Sequence, residues 1–72
     1  MNAAELEPQI KAMQAMLLDL VNKRVDHYDL QLIFFAELDA IRGRADPEAL
    51  PEVDRRIDQV GRRMRARYSL PG

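Results

Sequence analysis

The sequence predicts an all-α protein: a helical hairpin of one long and one shorter helix, completed to a four-helix bundle by homodimerisation. Three observations carry that expectation. Gln9 to Arg42 contains neither proline nor glycine and is rich in Leu, Ala, Met, Gln, Glu, Lys and Arg, all good helix formers. Apolar residues recur at intervals of three and four, the spacing that lines one face of a helix. The chain has 72 residues and no cysteine, so it is a single domain, 1–72, whose core is small and cannot be supplemented by disulfides or thiolate metal sites.

The first helix is expected over about residues 8–42. Pro8 suits a first turn, where a missing N–H costs nothing, and Gly43 offers a C-terminal stop beside Arg42 and Arg44, cations favoured at the negative end of the helix dipole. Asp26, with Asp29 three residues on, resembles a weakened capping box and marks a place for a kink. A reversal there is not expected, because Lys23-Arg24-Val25 carries no turn chemistry. The turn is placed at residues 43–50, with Asp46 and Pro47 as a cap and first-turn pair. The second helix is expected over about 51–68, with Val53, Ile57, Val60 and Met64 forming a narrow stripe.

Length then argues for association. A second helix of about 17 residues spans roughly 26 Å and covers only the half of the first helix nearest the turn. The other half has its own stripe, Leu6, Ile10, Met13, Leu17, Leu20 and Val21, with Met16 and Leu18 alongside. A solvated apolar face of that size calls for a partner. Leu30, Leu32, Ile33, Phe34, Phe35, Ala36 and Leu38 are apolar nearly all round the helix, as in a segment touched from two sides. The expected partner-binding residues are therefore Leu6, Ile10, Met13, Met16, Leu17, Leu20 and Val21, the partners being a second copy of the chain (a dimer or higher oligomer) and another protein. The methionines suit an adaptable contact surface.

The formal net charge of −1 divides unevenly. Residues 1–41 carry three basic groups against seven acids, and residues 42–72 carry eight arginines against five acids, net −4 and +3. The run Arg62-Arg63-Met64-Arg65-Ala66-Arg67-Tyr68 holds four arginines without an acid, so Arg62, Arg63, Arg65 and Arg67 are candidate anion-binding residues with Tyr68 available for stacking. The same arginines are also what a solvated, dipole-favoured helix end looks like.

Catalytic raw material is scarce. There is no cysteine or threonine, one serine (Ser69) and one histidine (His27), whose helical neighbours Lys23, Arg24, Leu30 and Gln31 form no metal site. No catalytic residue, metal or cofactor is expected. The N-terminus lacks a basic segment followed by an apolar run, and the longest strictly apolar stretch, Leu32 to Ala36, is far below the ~20 residues of a membrane span, so a cytoplasmic protein without membrane contact is expected.

The stretch Leu6-x3-Ile10-x2-Met13-x3-Leu17-Leu18-x-Leu20-Val21-x2-Arg24 resembles the first helix of the chorismate mutases, all-helical dimers that bind a dicarboxylate with cations. Arg24 matches one cation of that pattern. Glu7 stands where the family has an arginine and Phe35 where it has a lysine, so the resemblance implies mutase chemistry only weakly. Asp46-Pro47-Glu48-x-Leu50 followed by Asp54-x2-Ile57-Asp58 is similar to the hairpin of small sporulation-regulating aspartyl-phosphate phosphatases, without the serine and glutamine of that motif. The ordering that results is a non-enzymatic interaction module (adaptor, chaperone or regulator) first, an anion- or nucleic-acid-binding regulator second and a chorismate-mutase-like enzyme third.

Overall fold

The computed structural model describes residues 1–68, all of whose regular structure is helical: α1 (Ala3–Asn22), α2 (His27–Arg44), a single 3-10 turn (Pro47–Ala49) and α3 (Leu50–Tyr68). The all-α expectation holds, but the long first helix does not: the chain reverses at residues 23–26 and the fold is a three-helix arrangement. The directions follow from contacts across the bundle. Glu7 pairs with Arg56 and Gln14 accepts from Arg63, a constant offset along both helices, so α1 and α3 run parallel. Met1 and Gln9 meet Arg44, and Arg42 pairs with Asp54, so α2 runs antiparallel to both.

α1 begins with a complete capping box. The Asn2 side chain accepts from the Glu5 N–H at 2.8 Å, and the Glu5 carboxylate accepts from the Asn2 N–H at 2.8 Å. It ends without glycine. The Arg24 N–H donates to the Val21 carbonyl at 3.0 Å and the Val25 N–H to the Leu20 carbonyl at 3.1 Å, the two bonds of a Schellman motif, with Arg24 held at φ 59°. Asp26 caps the next helix at once, its carboxylate accepting from the Tyr28 N–H at 3.0 Å and the Asp29 N–H at 3.4 Å.

The reversal corrects the expected kink, and its cause is energetic. Placing a non-glycine residue in the left-handed region costs roughly 1–2 kcal/mol. Turning back buries Leu6, Ile10, Met13 and Leu17, each no more than 3% exposed, and full burial of one such side chain contributes about 1.5–3 kcal/mol. Four burials outweigh one strained residue.

Gly43, expected as a stop, lies inside α2, which continues to Arg44. The terminus there is set by Ala45, which turns extended, and by Pro47 opening the 3-10 turn. Asp46 joins the three helix ends: its carboxylate accepts from the Met1 ammonium at 3.0 Å and its N–H donates to the Met1 carbonyl at 2.8 Å. The expected α3 stripe is the wall of the core, with Val53, Ile57, Val60 and Met64 buried beside the α1 stripe, Leu30 and Ile41. No side-chain nitrogen or oxygen buried among the described residues lacks a partner.

Candidate interaction surface

Seven residues of α1 were expected to meet a partner, and the structure divides them. Leu6, Ile10, Met13 and Leu17 are enclosed in the chain's own core, so the premise that this stripe lacks an intrachain partner does not hold. Leu20 and Val21 are half-buried beside the core, and Met16 sits apart at the edge of exposure. What α1 leaves to solvent is a mixture of small residues, Ala4, Ala12 and Ala15, with the polar Glu5, Lys11 and Asp19.

The unpartnered apolar surface lies on α2 instead. Successive residues of a helix are rotated by about 100°. Leu30 and Ile41 point into the core, whereas Tyr28, Leu32 and Phe35, at a four-then-three spacing, line the opposite side and are 67%, 51% and 55% exposed. Helices with only one buried face show polar residues on the other. α2 mixes the two: its outer side carries the large apolar Tyr28, Leu32 and Phe35 among the polar Gln31, Asp39 and Arg42, in keeping with the apolar run from Leu30 to Leu38. The signal for this exposed surface is present in the sequence, in the apolar run from Leu30 to Leu38.

Beside the exposed stripe, α2 and α3 diverge around a groove of about 460 Å³. Its floor and walls include Leu17, Phe34, Phe35, Leu38, Ile57 and Met64. Phe34 and Phe35 stack with centroids 6.0 Å apart, and the exposed Phe35 belongs both to the groove wall and to the outer stripe. Gly61 faces Phe34: a Cβ added there would stand 3.5 Å from the ring, ordinary contact. The glycine is thus not required by a close approach of helices.

Of the candidate anion-binding arginines, Arg62, Arg63 and Arg65 do not converge. Arg62 pairs with Asp58 at 3.2 Å and Arg65 lies with it on the rim of the groove, while Arg63 reaches the other way to Gln14 on α1 at 3.3 Å. The side chains of Arg67 and Tyr68, and all of Ser69, lie outside what the structure describes. The arginines nearer the turn are matched with acids. Arg55 is held by Glu52, whose carboxyl pKa is lowered first by that hydrogen bond, and Arg56 by Glu7. Among the described residues, no three carboxylate or histidine side chains gather into a group that could hold a metal, and no helix is long and apolar enough to cross a membrane.

Comparison of the chain with known protein families, characterised proteins and solved structures finds no match. The chorismate mutase resemblance rests on a helix 1 that runs on through Arg24. Here Arg24 is the exposed left-handed residue of the turn, and it does not line the groove that Arg62 and Arg65 rim. In the segment similar to the phosphatase hairpin, Asp54 is paired with Arg42 at 2.8 Å and Asp58 with Arg62.

Proposed function

We propose that this chain is a small helical protein-interaction module, an adaptor or regulator, that binds through the outer face of α2. The observation that supports this most is a helix with large apolar side chains on two opposite sides, of which the described residues cover only one. Tyr28, Leu32 and Phe35 remain in water although the core closes without them. Soluble chains rarely keep an apolar patch continuous with a groove unless a partner covers it. Aromatic side chains contribute large contact area with few rotatable bonds, which suits them to such a surface.

A photo-reactive phenylalanine analogue placed at position 35, in the cells that make the protein, tests this reading. A specific crosslinked product is expected from position 35 and not from position 11, where Lys11 occupies an exposed polar part of α1. Equal labelling from both positions would remove the proposal.

A further inference from the structure

We infer that the occupant of the α2 face is a second copy of this chain, packed antiparallel about a two-fold axis beside Phe35. This rests on the reading of the α2 face as a contact surface and adds its partner and register.

The argument is the self-complementarity of α2. Its first turn is acidic, with Asp26 at the cap and Asp29 three residues on, and its last turn carries Arg42 and Arg44. An antiparallel copy sets each acidic end beside the other's basic end, within about a Debye length at ordinary helix spacing, whereas a parallel copy places like charges together. The two helix dipoles oppose as well.

Register follows from the positions on either side of Phe35. An isologous contact places residue i against residue j and j against i. With Phe35 at the centre, Leu32 stands level with the second copy's Leu38, apolar against apolar. Gln31 stands level with Asp39, an amide donor against a carboxylate. Tyr28 stands level with Arg42, a ring against a guanidinium. No level opposes two charges of the same sign. Each of these pairs lies within about 10 Å of the axis along the helix, so the contact needs only the middle and flanks of α2 and leaves the core and the Met1–Asp46 contacts undisturbed.

Sedimentation of the purified chain and cysteine crosslinking together provide the test, since the native sequence has no cysteine to interfere. At about 100 μM the chain should sediment at twice 8.3 kDa. Phe35→Glu and Leu32→Glu should each raise the dissociation constant by about tenfold or more while helical circular dichroism stays as in wild type. Phe35→Cys should oxidise readily to a covalent dimer. In a mixture of Tyr28→Cys and Arg42→Cys proteins, the mixed species should dominate over either self-pair. A mass of 8.3 kDa, a dimer indifferent to Phe35→Glu, or predominant pairing of position 28 with itself would each overturn the inference. If the purified chain is monomeric while position 35 still crosslinks another protein in cells, self-pairing fails and the interaction module stands. If position 35 crosslinks nothing, both fail.

Discussion

α1 and α2 each present an apolar stripe, but the two stripes meet opposite fates. That of α1 is regular, with Leu6, Ile10, Met13 and Leu17 on one side and alanines and polar residues on the other, and it disappears into the core. That of α2 is doubled: Leu30 and Ile41 enter the core and Tyr28, Leu32 and Phe35 stay outside. A single clean stripe is the pattern of a helix with one neighbour to satisfy. A helix with large apolar residues on two sides needs two, and among the described residues α2 has only the core side covered. Of the two, the more regular stripe is therefore the structural one, and the less patterned helix carries the exposed apolar side chains.

The comparison is broken most directly by truncating one residue from each stripe. Leu17→Ala should lower unfolding free energy by about 2–5 kcal/mol, because Leu17 is fully buried and its removal leaves a cavity. Phe35→Ala, although it deletes a larger side chain, should stay within about 0.5 kcal/mol for the isolated chain. Urea denaturation of both variants at a concentration low enough to exclude association gives the contrast, and equal losses would mean that α2's outer face is packed.

The turn that separates the two helices is the next lever. Arg24→Val should cost about 1–2 kcal/mol, since a β-branched residue tolerates φ 59° poorly. Arg24→Gly should instead gain up to about 1 kcal/mol, the relief of strain being partly offset by a more flexible unfolded chain. If both variants melted with the wild type, Arg24 would not occupy the left-handed position.

Smaller effects sharpen the description of the groove. Gly61→Ala should stabilise by roughly 0.5–1 kcal/mol, the helix-propensity gain, because the added methyl meets Phe34 at 3.5 Å without overlap. A loss on thermal melting would show that α2 and α3 pack closer at this point. The smallest effect is expected from Arg63→Gln, a few tenths of a kcal/mol, since the side chain is exposed and, among the described residues, donates to Gln14. If the arginines instead gripped phosphates, that variant would flatten a steep salt dependence of nucleic-acid binding by about one unit of slope.

Local chemistry was legible in the sequence. The α3 stripe, the Asp26 cap, the arginines at the end of α2, the Asp46-Pro47 turn and the helix-forming composition are all properties of neighbours a few residues apart, and each appears in the structure where those residues stand. The doubled apolarity of α2 was legible too. What short-range reasoning could not decide was whether Lys23-Arg24-Val25 continues a helix or reverses it. Its local preference favours continuation by a kcal/mol or two, and the opposing term comes from residues up to fifty positions away that are brought together only when the chain turns back. Val53, Ile57 and Val60 enclose the α1 stripe, and Arg56 meets Glu7, because α3 lies parallel to α1. The sequence by itself determined that the chain is helical and where apolar faces lie along it; the tertiary structure decided which of those faces is core and which is surface, because burial depends on long-range packing, which here outweighs the local cost of one left-handed arginine.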